Sequence, residues 1–147
     1  MTKDVLLALK GLQLDAGNET ESLETITPAQ YYERAGSHYV VFDEATEGYS
    51  DGTKNVFKFK DSLLEVTKKG LINVHMVFEE NKKNMTSYST PYGNIFIGID
   101  TESIRIQEEQ NRILVHVDYT LEANYQHMAD CKIELDIRPK EDGLRLS

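Results

Sequence analysis

The chain has 147 residues, 39% of them apolar, with no tryptophan and a formal charge of −9 from 16 basic and 25 acidic side chains. A chain of that length forms one domain, residues 1–147, and buries roughly 68–70% of its unfolded surface. Its negative field repels phosphate backbones and anionic headgroups, so nucleic acids and membrane surfaces are excluded as expected partners.

In chain order, the opening MTKDVLLALKGL carries an apolar core, Val5–Leu9, that Lys10 interrupts. That core is shorter than the ~7–15 residues of an export signal, and no later run approaches the ~20 apolar residues of a membrane span. The single cysteine, Cys131, makes no internal disulfide, which suits a reducing compartment. A cytoplasmic protein is expected.

Strands are predicted over Val5–Leu14, Glu21–Arg34 and His38–Ala45. The stretch 19–35 also admits a helix, with Pro28 in its first turn and Gly36 after its end, but its neighbours read as strands. INVHMVF sets Ile72, Val74, Met76 and Phe78 on one face. ILVHVDYTL does the same with Ile113, Val115, Val117, Tyr119 and Leu121, and MADCKIELDI with Ala129, Cys131, Ile133, Leu135 and Ile137. Period-two alternation marks half-buried antiparallel strands. Polar turn signals separate them at AGS (35–37), GYSDGT (48–53), KDS (60–62), EENKKN (79–84), EEQNR (108–112) and EANYQ (122–126). The expected fold is all-β, a single closed antiparallel barrel of about 8–10 strands, because closure removes the exposed edges such strands would leave.

TSYSTPYGNIFIGID (86–100) spaces Gly93 and Gly98 as in a phosphate loop. The Lys-Ser/Thr that must follow the second glycine is replaced by Ile99-Asp100, and a strand continues where a helix is needed. Thr90-Pro91-Tyr92-Gly93 reads instead as a structural turn, with Pro91 setting φ and Gly93 accepting a positive one. Thr86, Tyr88 and Thr90 share a strand face, either a cavity lining or a solvated surface.

No metal site is expected: His127 and Cys131 share a face but stand roughly 13 Å apart along a strand. Asp43–Asp51 fails the calcium-loop pattern, since Tyr49 occupies a ligand position and Lys58 replaces the closing glutamate. No nucleophile elbow or cysteine–histidine signature is present, and Glu79–Glu80 and Glu108–Glu109 project to opposite faces beside turns. No catalytic residue or cofactor is assigned.

VHMVFEENKKNMTSYSTPYGNIFIGIDT resembles the YwiB-like family of bacterial proteins, a domain of unknown function. Met76-Val77-Phe78-Glu79, Tyr88, Thr90-Pro91-Tyr92-Gly93 and Thr101 carry the likeness. KDVLLALKGLQ, YYERAGSHYVVFDE and LEVTKKG fit the same run. The resemblance implies a calycin-type, lipocalin-like barrel in the cytoplasm and implies no reaction; by analogy of fold it suggests a ligand cavity.

The leading expectation is therefore a non-enzymatic binder of a small apolar or amphipathic molecule. Met76, Phe78 and Tyr119 would form its apolar wall, with Tyr88, Thr90 and Tyr92 orienting a polar group. The alternative is an interaction or assembly module with a packed barrel, acting through an imperfectly closed edge or an exposed aromatic patch, including as a homodimer. A weak hydrolase at the barrel mouth stands third; it requires a histidine, a carboxylate and a hydroxyl within hydrogen-bond reach.

Overall fold

In a computed structural model, which describes residues 3–11 and 24–140, the chain forms ten antiparallel strands. They are β1 (Asp4–Lys10), β2 (Glu24–Arg34), β3 (Ser37–Glu44), β4 (Thr53–Lys60), β5 (Leu63–Gly70), β6 (Val74–Glu79), β7 (Lys82–Thr90), β8 (Gly93–Glu109), β9 (Arg112–Ala123) and β10 (Gln126–Pro139). Expected strand residues beyond Gly11 and before Glu24 lie outside the described residues. No helix among the described residues is long and apolar enough to cross a membrane.

The sheet runs β6-β5-β4-β3-β2-β1-β10-β9-β8-β7, so the first and last strands are neighbours and the chain is a meander wrapped around an axis. Its two edges, β6 and β7, are consecutive strands joined by the Glu80–Asn81 turn. They come together at one bridge, where Asn73 and Ser89 exchange N–H···O bonds of 2.9 and 3.0 Å. Asn84 Nδ2 adds a bond of 3.3 Å to the Val77 carbonyl. The barrel is thus nearly closed, with a seam where full closure was expected.

Turn chemistry explains why adjacent strands reverse so tightly. Ala35 and Gly36, and Asn124 and Tyr125, have positive φ in pairs (52° and 83°, 51° and 67°), the backbone of a two-residue hairpin whose twist matches its strands. Bulges between Thr101 and Ser103 and between His127 and Ala129 each insert one residue into the two long strands, bending them around the core.

The helical alternative for 19–35 gives way to β2. Tyr31 donates to the Lys3 carbonyl at 2.8 Å, so odd-numbered residues of β2 turn their N–H toward β1 and Pro28 turns its nitrogen toward β3. Pairing with β3 begins only at Gln30, so the missing N–H of Pro28 leaves no ladder bond unmade.

The inner faces interdigitate into one core. Leu7, Phe57, Phe59, Leu64, Phe78, Ile133, Leu135 and Ile137 are sealed from solvent, and Val115 and Val117 fill the β9 side. Each such side chain contributes about 1.5–3 kcal/mol by its burial, and together they occupy the barrel interior.

Candidate functional site

The barrel has a lower end, at the 35–36, 61–62, 80–81 and 110–111 turns, and an upper end, at the 45–52, 91–92 and 124–125 connections. At the upper end the core changes character. Cross-strand pairing aligns Phe42 with Asn55, Asn55 with Lys68 and Lys68 with Val74. The Asn73–Ser89 bridge carries this row onward to Tyr88 on β7. One step higher lie Glu44, Thr53 and Thr90.

The orientation of the hydroxyl row follows from register. Asn84 and Thr86 pair with Ile99 and Ile97, both buried, so Thr86, Tyr88 and Thr90 share the inner face. Tyr88 packs against the core while remaining partly open. Thr90 caps the turn: its hydroxyl donates to the Gly93 carbonyl at 3.0 Å and accepts from the Tyr92 N–H at 3.1 Å. Pro91 and Tyr92 are the two turn residues between β7 and β8, and Gly93 adopts φ 130°.

Met76, Phe78 and Tyr119 are buried in the hydrophobic core. Phe78 is fully sealed, and its ring meets that of Tyr119 edge-on at 5.0 Å. Burial pushes the Tyr119 hydroxyl upward, with the neighbouring Cys131 adding to the effect, and burial likewise raises the Cys131 thiol. Tyr92 lies apart from all of these: it is 88% exposed, and its hydroxyl accepts from the Tyr49 hydroxyl at 3.1 Å.

A layer the sequence reading passed over lies beside Tyr88. Lys68 donates to Asn55 Oδ1 at 2.7 Å and to Glu44 Oε1 at 3.1 Å, and Asn55 Nδ2 donates to the same Glu44 oxygen at 3.3 Å. The signal was present, since period two from Leu64 and Val66 places Lys68 inward, as Phe57 and Phe59 place Asn55.

Two histidines meet both a hydroxyl and a carboxylate, and a third shares its carboxylate with a hydroxyl. At the lower end the Tyr31 hydroxyl lies 2.6 Å from His38 Nδ1, and His38 Nε2 faces Glu108 at 3.4 Å. The His38 ring stacks between Tyr31 and Phe59. On the outer face Thr67 lies 2.9 Å from His75 Nδ1, with Glu65 at 3.3 Å from Nε2. On β8 and β9, Ser103 and His116 both engage Asp118, at 3.0 and 3.3 Å. In that last group the hydroxyl and the imidazole meet the carboxylate rather than each other, so no proton path joins them. Burial would raise the Asp118 carboxyl, but the Ser103 hydrogen bond and the His116 charge hold it below the usual range.

Tyr31 is a poor nucleophile for a different reason. Burial, then the charges of Glu33 and Glu108, push its hydroxyl up to about 12. An unfolded tyrosine ionises near pH ~10, so between these values the folded chain holds more protons than the unfolded one. The stabilising contribution is present below pH ~10 and is lost as pH rises through about 12. Denaturant titrations at pH 9 to 12 should show stability falling across that window, and Tyr31→Phe should flatten the fall; an unchanged slope would contradict this assignment.

Two hollows, of about 490 and 510 Å³, open on the outside. The first lies over β1, β8, β9 and β10, and Asp136 in its lining is held by two arginines. Arg112 forks onto Asp136 at 3.2 and 2.9 Å, and Arg138 does so at 3.2 and 3.1 Å. Burial would raise the Asp136 carboxyl, yet the hydrogen bonds from these two arginines hold it below its ordinary value. The second hollow lies beside the β4–β5 turn, lined by Lys58, Lys60, Asp61 and Glu65 among others. Among the described residues, no three His, Cys, Asp or Glu side chains gather as a metal site.

The large exposed apolar side chains concentrate at the upper rim. Tyr92, Ile95 and Phe96 stand on the β7–β8 hairpin, and Tyr125 (76% exposed) and Met128 on the β9–β10 hairpin. The Phe96 and Tyr125 rings touch at 5.5 Å, and Asn124 donates to the Phe96 carbonyl at 2.8 Å, which ties the two hairpins together.

These features define a ten-stranded, nearly closed antiparallel barrel with a filled interior and an aromatic rim. Residues 7–135 match the model of the family described as "Domain of unknown function (DUF1934)", and the chain belongs to that family. The fold is similar to the crystal structure of the ywiB protein from Bacillus subtilis, with a TM-score of 0.78 and 18% identity, covering 93% of this chain and 92% of that one. No curated protein matches the chain.

Proposed function

We propose that the protein is a non-enzymatic interaction module that docks a protein partner through its upper rim. The observation that carries this reading is the pair of linked hairpins presenting Tyr92, Phe96, Tyr125 and Met128 to solvent. Tyrosine, phenylalanine and methionine are enriched at the centres of protein interfaces, and a clustered apolar patch marks an interaction surface. A carrier of an amphipathic molecule needs interior volume, whereas the inward side chains of this barrel form one buried hydrophobic cluster, which supports the rim reading. The net charge of −9 favours a neutral or basic partner surface.

The test is size-exclusion chromatography of fresh extract from the protein's own host. The wild-type chain should elute in a complex above its 16.8 kDa. The Tyr92→Ser/Phe96→Ser/Tyr125→Ser variant should elute alone, because losing such anchors costs about 2 kcal/mol or more each. Its melting temperature should stay near that of the wild type, since all three side chains are exposed. A wild-type chain that elutes as a monomer, or a variant that keeps the complex, would contradict the proposal.

A further inference from the structure

Lysine is rarely buried, and Lys68 is only 7% exposed, on the strand face it shares with Leu64 and Val66. Its ammonium has three protons to donate; Asn55 Oδ1 and Glu44 Oε1 take two of them. Asn55 is wholly buried and turns its Nδ2 both to that Glu44 oxygen and, at 3.4 Å, to the Thr53 carbonyl. Thr53 is in turn fixed by accepting the Ile72 N–H at 3.3 Å. Two donors from buried, braced side chains therefore converge on one carboxylate oxygen.

The carboxylate is the only loosely held member of this group. The Glu44 side chain is 43% exposed, against 8% for that of Lys68. If Glu44 turns outward, Nζ and Nδ2 both lose an acceptor at the same point, and a buried ammonium short of acceptors is costly. We propose that Asn55 and Lys68 form a binding cradle for a small carboxylic acid, and that Glu44 is a resident carboxylate which the incoming acid displaces. One cation and two convergent donors match the single charge of a carboxylate; a phosphate dianion would leave charge uncompensated in a half-dry site. Displaced Glu44 returns to water, so the exchange keeps the interior neutral. The half-buried Tyr88 and Thr90 lie on the inner face of β7 at the same end of the barrel. This site is independent of rim docking, which lies on the outer surface.

Acetate against chloride at equal ionic strength tests the cradle by thermal unfolding. In Glu44→Ala the resident carboxylate is gone, and acetate should raise the melting temperature by roughly 2–4 °C more than chloride does. The wild type should respond less, because tethered Glu44 competes at high effective concentration. In Glu44→Ala/Lys68→Met the acetate-specific rise should vanish. Equal action of the two salts on Glu44→Ala, or a rise that survives loss of Lys68, would overturn the proposal. The wild-type Lys68 Nζ resonance gives the same answer without a substitution: a saturable shift with acetate supports the cradle, and the same drift in both salts sinks it.

Discussion

Truncating Phe78 to alanine should destabilise the protein by about 3–5 kcal/mol, the usual cost of removing a buried aromatic ring from a core that cannot collapse around the gap. Phe78 is fully sealed, faces Tyr119 edge-on and sits opposite Leu64 on β5. For a domain of this size the melting temperature should fall by roughly 10 °C, and the urea midpoint should fall without a change in slope. The experiment also separates two roles for this residue. A side chain on the wall of a ligand chamber borders space that already exists, so its loss would cost little stability and would alter binding. A cost under about 1 kcal/mol would show that the interior is not filled as described.

Asn55→Leu should cost about 2–4 kcal/mol, although the substitution is nearly isosteric and increases apolar surface. It removes the closest acceptor of the Lys68 ammonium, at 2.7 Å, and leaves that charge held only by a carboxylate that is half in water. The double variant Asn55→Leu/Lys68→Met should regain most of the loss, because no uncompensated charge then remains. Urea titrations of the two single variants and the double complete the cycle. Additive losses would mean that the asparagine and the lysine do not act as a unit.

The inner faces of β6, β9 and β10 were legible because polar and apolar residues alternate cleanly there; Val74, Met76 and Phe78, or Ile133, Leu135 and Ile137, can face only one way. The hairpins were legible through glycine, asparagine and aspartate at positions needing positive φ, such as Gly36, Asp61 and Asn81. The seam was not, because whether β6 and β7 pair depends on how the whole sheet curls and not on either strand. Register decided the face of Thr86 and Tyr88, and register is a property of β8 as much as of β7. Lys68 and Asn55 broke an apolar alternation at inward positions, a local conflict of the kind that marks functional sites. Tyr125 was legible as part of a turn, but its contact with Phe96 across two hairpins depends on tertiary packing.

The central claim is that a filled barrel works from its upper rim, and site-specific photo-cross-linking in the native host tests it most directly. A photoreactive phenylalanine at Tyr92 samples the rim, and one at Gln110, in the β8–β9 turn at the opposite end, serves as the control. The account predicts one discrete protein adduct from position 92 and none from position 110. Adducts of equal yield and pattern from both positions, or none from position 92, would contradict it.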